Sequence, residues 1–230
     1  MNFILLIIIF VIIIIASYLI KNKIVFRFDT LFRKGFKRSS DKYGIFCFCG
    51  KQGDGKSYSI VDMISSVRGK DMKVITNVYS YYANNKDFCI YEDNFYNIIN
   101  RFKDGTYNSN YIIFYDEIFT LIEKGKLQKN ILSFLSQLRK RGIYFFTTAQ
   151  EWLEINVTFR RYVRYQVDCS MFTLPLFNCT FSINKINDGY NMKWDNLQNE
   201  YVSPRIKTTI KKCSLKLANS YDTYETIKEV

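Results

Sequence analysis

The sequence predicts an α/β fold in which a mainly parallel sheet is flanked by helices, and three observations support this prediction. Short apolar runs alternate with helical stretches from residue 44 onward, which is typical of parallel strands joined by crossover helices. A glycine-rich loop follows the first apolar run, and two adjacent acids follow a later one. Both features belong at the carboxyl edge of such a sheet, where these folds bind ligands.

The glycine-rich loop has the spacing of a P-loop. Gly50 follows the apolar run 45–49, and four residues separate it from Gly55-Lys56-Ser57, which opens a helix. Glycines let backbone N–H groups approach phosphate oxygens, and the helix directs its positive end at the same anion. We expect Lys56 to reach the β- and γ-phosphates and Ser57 to bind Mg²⁺. The alternative is an ordinary turn between a strand and a helix. The residues predicted to bind ATP are Gly50, Gly53, Asp54, Gly55, Lys56, Ser57 and Tyr58.

The two adjacent acids are Asp116 and Glu117, which follow the apolar run 111–115. A strand that is apolar on both faces lies inside a parallel sheet, so its acids fall at the ligand-binding edge. We expect Asp116 to hold Mg²⁺ through water and Glu117 to accept a proton from an attacking water. Capping of the next helix is the alternative role. Gln150 ends another buried strand, 143–150, where an amide can sense the γ-phosphate or make only a turn hydrogen bond.

Composition excludes some classes of function. The chain of 230 residues has no histidine, which argues against a zinc hydrolase, and none of its six cysteines forms a C-x-x-C pair. Buried free thiols in a reducing compartment are therefore expected. The formal net charge of +12 indicates a polyanionic partner or a membrane surface.

The amino-terminal segment predicts a membrane anchor. Residues 3–20 carry no charge and would cover about 27 Å as a helix, enough to span a bilayer. A cleaved signal peptide is the alternative, but no basic residue precedes the apolar run. Eight basic residues between 21 and 42 place the amino terminus outside and the rest of the chain in the cytoplasm. The predicted division is 1–21 anchor, 22–43 basic juxtamembrane segment, 44–168 P-loop core, and 169–230 β extension with a tail.

Further elements follow from periodicity. Strands are predicted at 72–78 and in the stretch 165–185, helices at 93–102 and 129–141, and a polar loop at 79–86. The helix 129–141 ends in a basic turn with Arg139 and Arg141, which we expect near the nucleotide edge. These arginines compensate the helix dipole, or they contact DNA or the ATP of a neighbouring subunit. A second cluster mixes cations with aromatic residues and suits a nucleic-acid backbone: Arg160, Arg161 and Arg164.

Five motifs together resemble one family of ATPases. They are Gly50 to Tyr58, Ile75 to Val78, Phe114 to Glu117, Leu138 to Gly142 and Thr147 to Gln150. They are similar to the zonula occludens toxin (Zot) type proteins that assemble filamentous phages, a branch of the FtsK and HerA class. Small DNA-packaging ATPases of lipid-containing phages are similar too. The resemblance covers about residues 44–168, and the filamentous-phage proteins differ in carrying their membrane span after the core.

The resemblance implies a RecA-like P-loop core of the additional-strand type with a catalytic glutamate and a sensor amide. It also implies a homo-oligomer with coat or portal proteins as partners. The predicted function is a membrane-anchored ATPase that moves phage or mobile-element DNA during packaging or extrusion. A different class stays open, an ATP-dependent assembly protein that does not grip DNA. A P-loop kinase fits less well, because kinases seldom need an Asp-Glu pair plus a sensor amide.

Overall fold

A computed structural model of the chain describes residues 3–26, 43–107, 110–118, 128–177, 179–195 and 200–221, without the side chains of 3–6, 8, 24–26, 177, 200 and 201. Its α-helices are α1 (Phe3–Lys21), α2 (Lys56–Val67), α3 (Tyr79–Asn84), α4 (Phe95–Lys103), α5 (Lys129–Gln137), α6 (Val157–Arg160) and α7 (Leu215–Ala218). Its strands are β1 (Ile24–Phe26), β2 (Gly44–Cys49), β3 (Lys73–Thr76), β4 (Cys89–Tyr91), β5 (Tyr111–Tyr115), β6 (Tyr144–Ala149), β7 (Val163–Leu174), β8 (Cys179–Asp188), β9 (Lys193–Asp195), β10 (Glu200–Val202) and β11 (Arg205–Lys212). Short 3₁₀ helices lie at Trp152–Glu154 and Pro175–Phe177.

In the described part of the chain, nine strands form one sheet in the order β1-β11-β8-β7-β2-β6-β5-β3-β4. The six strands from β7 to β4 run parallel to one another, whereas β8 is antiparallel to both β7 and β11. The predicted mainly parallel α/β sheet is therefore confirmed. The strand β7 runs without a break past position 168, so the parallel core and the antiparallel extension share one sheet.

The sheet has an apolar layer on each face because its central strands are apolar at every position. In β2, Ile45 and Cys47 face the layer that contains α4 and α5, while Phe46 and Phe48 face the layer that contains α2. All six residues of β2 and of β6 are buried. The described cysteines form no disulfide, and four of the six are buried: Cys47, Cys49, Cys89 and Cys169.

Most predicted elements occur where periodicity places them, with two differences. The predicted loop 79–86 is wrong, because Tyr79–Asn84 forms α3 and buries Tyr81 against the ring of Phe114, with 5.7 Å between ring centroids. Helix α5 ends at Gln137 rather than at 141, and Arg139 to Gly142 form a turn. Gly142 has φ 66°, a left-handed conformation that ends a helical stretch.

The amino-terminal helix α1 occupies the stretch in which the sequence predicts a membrane span, and it leads through a short turn into β1. Among the residues that the structure describes, no helix combines the length and the apolar character needed to cross a bilayer. The basic segment 22–43 falls largely on residues 27–42, and most of the predicted tail falls on 222–230. Both of these ranges lie outside the described residues.

Candidate nucleotide-binding site

The loop between β2 and α2 is held in shape by its own charged side chains. The Lys56 Nζ atom donates to the carbonyl oxygens of Gly50, at 2.8 Å, and Lys51, at 3.0 Å. The carboxylate of Asp54 accepts the Lys51 N–H at 2.6 Å, so it braces the loop rather than facing a phosphate. The ammonium group therefore already lies over the loop in which phosphates are expected.

Gly55 has a backbone conformation that strongly favours glycine. It precedes α2 with φ 77°, in the left-handed region that L side chains avoid. A Cβ atom at this position would lie 2.4 Å from the Cε atom of Met171 on β7. The backbone conformation therefore favours the predicted glycine, and any larger residue would also displace the Met171 side chain. Gly53 is also left-handed, with φ 88°, but has open space around it.

The acidic pair lies at the end of β5, and two side chains from the ends of neighbouring strands hold it. The Asn77 side chain accepts the Asp116 N–H at 2.8 Å and donates to the Asp116 carbonyl at 3.1 Å. The Thr148 hydroxyl donates to the Asp116 carboxylate and accepts the Glu117 N–H at 2.9 Å. The strand ends of β3, β5 and β6 thereby fix the position of both acids.

Glu117 has φ 52°, which is uncommon for a residue with a side chain. A left-handed conformation costs roughly 1–2 kcal/mol, and it persists where surrounding contacts impose it. The hydrogen bond from its N–H to Thr148 is one such contact. Strained backbone at an acid beside a phosphate loop is typical of a functional position rather than of a helix cap.

Electrostatics show that the loop and the acids form one site. Burial raises the pKa of Asp116, and this rise is opposed by hydrogen bonds from Thr148 and Ser57 and by the charge of Lys56. Burial also raises the pKa of Glu117, with a further rise from the charge of Asp116 and an opposing effect of Lys56. The residues predicted separately from two motifs therefore interact directly.

The residues present fit a magnesium ion. Ser57 and Asp116 supply a hydroxyl and a buried carboxylate within mutual reach, and Mg²⁺ prefers such oxygen ligands together with substrate phosphates and water. Among the described residues, no group of three or more acids or cysteines that could hold a metal ion occurs. Tyr58 differs from the prediction in one respect. Its side chain is buried and accepts the Ser214 N–H at 2.7 Å, so only its backbone can face a ligand.

Gln150 is exposed at the end of β6, next to Gly50, at one end of a cavity of about 790 Å³. Asp168 lies in the wall, where its carboxylate accepts hydrogen bonds from Gln166 at 2.8 Å and Asn187 at 2.7 Å. Two buried polar atoms of the wall, Trp152 Nε1 and Ser203 Oγ, have no hydrogen-bond partner among the described residues. Sequence analysis did not assign a role to Asp168, because polar residues alternate along β7 and Asp168 fits that pattern.

The predicted arginines are not at this site. Arg139 and Arg141 directly precede β6, and Arg160 and Arg161 precede β7, so they lie where these strands begin rather than where they end. Arg164 lies at the same end, with its guanidinium donating to the Tyr43 carbonyl at 3.4 Å. The expectation that the end of α5 is near the nucleotide edge is wrong, because an α5 that follows β5 must return to the opposite edge before β6.

Arg139 and Arg141 differ in their surroundings. The Arg141 guanidinium donates to Gln137 Oε1 at 3.0 and 3.2 Å and to the Phe102 carbonyl at 2.8 Å. It therefore fastens the end of α5 to the end of α4, which is the structural role that the sequence left open. Arg139 is exposed.

Asn77 and Thr148 are the site residues whose roles the sequence did not assign. Both stand in strand ends that the sequence marks as polar, 76–77 and 147–148. That polarity was the available signal. Their pairing with Asp116 and Glu117 depends on strand order, which a single sequence does not contain.

Comparison with known proteins gives structural relatives only. No protein-family model and no curated protein sequence matches the chain. The fold is similar to the N-terminal domain of zonular occludens toxin from Neisseria meningitidis, with 14% identity, 78% of this chain and 98% of the other covered, and TM-score 0.47. It is similar to the genome packaging NTPase B204 of Sulfolobus turreted icosahedral virus 2, solved with ATPγS, with 12% identity, coverage of 71% and 98%, and TM-score 0.44.

A third neighbour is the flagellar accessory protein FlaH from Methanocaldococcus jannaschii, with 14% identity, coverage of 73% and 89%, and TM-score 0.43. Both kinds of protein that the motifs resemble, the toxin domain and the packaging NTPase, are thus among the structural neighbours.

Proposed function

We propose that this chain is an ATPase that uses ATP hydrolysis to move DNA. The observation that carries the ATPase proposal is the meeting of four side chains from two separate motifs at one sheet edge: Lys56, Ser57, Asp116 and Glu117. An ordinary turn between a strand and a helix does not need a buried carboxylate opposite its lysine, and a helix cap does not need a strained glutamate.

Nucleotide binding follows from the geometry of the loop. The N–H groups at the start of α2 and the positive end of that helix attract the phosphates. Lys56 Nζ then exchanges its two carbonyl partners, Gly50 and Lys51, for phosphate oxygens. Ser57 and Asp116 are the residues that would hold Mg²⁺, which when bound offsets the negative charge that develops on the phosphates.

Hydrolysis requires a base that faces the terminal phosphate. Glu117 accepts a proton from the attacking water, and its raised pKa makes it a better base than an exposed glutamate. Thr148 and Asn77 keep the backbone of the acidic pair in place. Gln150 stands at the neighbouring strand end, where its amide can orient the same water.

The proposal also includes three further properties of the chain. It moves DNA, it is anchored in a membrane with the ATPase domain in the cytoplasm, and it assembles into a homo-oligomer. The sequence motifs and the basic charge support a DNA partner. The uncharged stretch 3–20 supports the anchor, as do the exposed apolar side chains of α1, among them Phe10 at 65% and Ile20 at 77% exposure. In an oligomer, Arg139 is the better candidate for reaching the ATP of a neighbour, since Arg141 is engaged within its own subunit.

ATPase assays of the full-length chain test the proposal. Lys56→Ala should weaken ATP binding, whereas Glu117→Gln should bind ATP normally and lose turnover by roughly 10²-fold or more. Addition of DNA should increase the rate of the wild-type chain. Turnover by Glu117→Gln at the wild-type rate would assign water activation to another residue.

The second candidate function is an ATP-dependent assembly protein for a virion or a secretion pore that does not grip DNA. The exposed apolar side chains of α1 favour contacts with lipid or protein partners, including coat or portal proteins. ATP hydrolysis that purified coat or portal protein stimulates and DNA does not would favour this candidate.

A further inference from the structure

The loops that lead into the parallel strands carry a cluster of positive charge, eleven of the 33 lysine and arginine residues of the chain. We call these loops the amino edge and define it as the described residues among 68–73, 85–88, 103–110, 138–143 and 160–164. Each segment enters one of the strands β3, β4, β5, β6 and β7. Their starts are aligned across the sheet, since Gly44 pairs with Tyr144, Ile45 with Val163, and Lys73 with Tyr111.

The amino edge holds eleven basic and three acidic side chains. The basic residues are Arg68, Lys70, Lys73, Lys86, Lys103, Arg139, Lys140, Arg141, Arg160, Arg161 and Arg164, and the acidic residues are Asp71, Asp87 and Asp104. This excess of eight positive charges compares with a formal net charge of +12 for the whole chain. This edge of the sheet is therefore strongly positive.

The opposite edge has the reverse charge. We call it the carboxyl edge and define it as residues 50–56, 92–94, 116–118 and 150–156, which follow the strand ends. It carries seven acidic side chains against Lys51 and Lys56. A polyanion other than the bound nucleotide is repelled there and attracted to the amino edge.

Contacts within the protein hold the half-buried arginines of the amino edge in fixed positions. The Arg68 guanidinium lies 3.8 Å from the ring centroid of Phe88, and Arg141 and Arg164 donate to backbone carbonyls. Of the other eight cations, the half-buried Arg160 has its guanidinium 5.9 Å from the ring centroid of Trp152. The remaining seven are exposed: Lys70, Lys73, Lys86, Lys103, Arg139, Lys140 and Arg161. The three arginines that are held in place, Arg68, Arg141 and Arg164, lose little conformational freedom when a ligand binds.

We propose that the phosphate backbone of DNA lies along the amino edge, an inference that rests on the DNA-moving function proposed above. The amino edge spans the six strands from β7 to β4, which are separated by five strand spacings. At about 4.8 Å per spacing, the edge is roughly 24 Å long. That length matches about seven base pairs of duplex, and guanidinium groups fit phosphate oxygens well. The nucleotide and the DNA then lie at opposite ends of the same strands.

The position of α1 favours DNA over an anionic bilayer as the partner. The first residue of β1, Ile24, is aligned through Thr208, Lys185 and Asp168 with Cys49, the last residue of β2. The helix α1 therefore joins the sheet at the level of the carboxyl edge. A membrane that holds α1 contacts the opposite end of the sheet from the amino edge.

Salt-dependent binding of the full-length chain to a short fluorescein-labelled DNA duplex tests the inference. The triple variant Lys70→Ala, Lys103→Ala, Lys140→Ala removes one exposed lysine from each of three amino-edge loops. We expect the slope of log K against log salt to become less steep by about three, one per lysine. The matched control, Lys193→Ala, Lys212→Ala, Lys216→Ala, removes three exposed lysines elsewhere and should leave the slope unchanged.

Unfolding temperatures of both triple variants establish that they fold. An equal loss of slope in the two variants would overturn the amino-edge inference. A wild-type chain that hydrolyses ATP without binding DNA would also overturn it, while leaving the ATPase proposal intact. Vesicles of phosphatidylserine and phosphatidylcholine form a second arm. Vesicle binding that the amino-edge variant loses and the control keeps would identify a membrane as the partner and would also overturn it.

Discussion

A single hydroxyl, that of Thr148, connects the two acids of the candidate site. It donates to the Asp116 carboxylate and accepts the Glu117 N–H. Thr148→Val keeps the shape of the side chain and removes both bonds. Because loss of positioning by about 1 Å can cost 10²-fold in rate, we expect kcat to fall on the order of 10²-fold with little change in the KM for ATP.

The adjacent residue provides the control. Thr147 is equally buried, and its hydroxyl has no hydrogen-bond partner among the described residues. Thr147→Val should therefore leave kcat unchanged, and Thr148→Ser, which keeps the hydroxyl, should restore most of the lost rate. A comparable loss in Thr147→Val would mean that β6 packing, rather than the Thr148 hydroxyl, controls turnover.

The pH dependence of hydrolysis should report Glu117. Its pKa is raised by burial and by the charge of Asp116, and a general base acts only when deprotonated. On acidification kcat/KM should therefore start to fall at a higher pH than it would with an ordinary glutamate. Measuring the binding of a non-hydrolysable ATP analogue over the same pH range separates the ionisation of the nucleotide from that of Glu117. An acid limb at the ordinary glutamate pKa would contradict the assignment.

The sequence was sufficient to predict the residues that would contact a nucleotide. It was insufficient to predict the residues that keep those side chains in position. Lys56, Ser57, Asp116 and Glu117 stand in motifs whose local spacing follows from phosphate chemistry. Asn77 contacts a residue 39 positions away, and that contact requires β3 and β5 to be neighbours. Such pairings depend on tertiary structure, so the sequence indicated only that both strand ends are polar.

At the scale of elements, a buried ion pair joins α2 to the sheet extension. Lys211 on β11 donates to Asp62 on α2, and their side chains are only 12% and 5% exposed. Asp62→Ala leaves a buried ammonium group with its main partner removed, which typically costs about 3–5 kcal/mol. Urea unfolding should show this loss. Replacement of both partners, Asp62→Leu with Lys211→Met, should recover most of it.

The exposed carboxylate Asp71 serves as the control for this measurement, since Asp71→Ala should change the free energy of unfolding by less than about 1 kcal/mol. If Asp62→Ala were no more harmful than Asp71→Ala, the packing of α2 against β8 and β11 would not depend on the ion pair.

Elements with a clear local pattern of apolar residues or a known motif were predictable from the sequence, whereas short elements that depend on distant partners were not. β2, β5 and β6 are continuous apolar runs, and α2 follows a phosphate loop, so each has a local signal. By contrast, α3 is six polar and aromatic residues that become helical by burying Tyr81. β1 is three residues long and pairs with Thr208 to Ile210, more than 180 positions along the chain.

At the scale of the whole molecule, the topology of the chain is open to direct measurement. The uncharged stretch 3–20 and the basic residues after it predict that a reporter fused after Val230 lies in the cytoplasm. The chain from residue 22 onward should leave the membrane in high salt, because only electrostatic contacts with lipid remain. Export of the reporter, or cleavage near Ala16, would contradict the anchor.

The strand β1 also has a protective role. It covers the outer side of β11 at Thr208, Thr209 and Ile210, with the Thr208 N–H donating to the Lys23 carbonyl at 3.2 Å. A chain cut after Phe26 would present these backbone groups unpaired, and a bare strand edge is a template for aggregation. Size-exclusion chromatography should show large aggregates for that truncation and not for one that begins at residue 22. The residues next to the apolar helix thus protect the enzyme against self-association whether or not a bilayer is present.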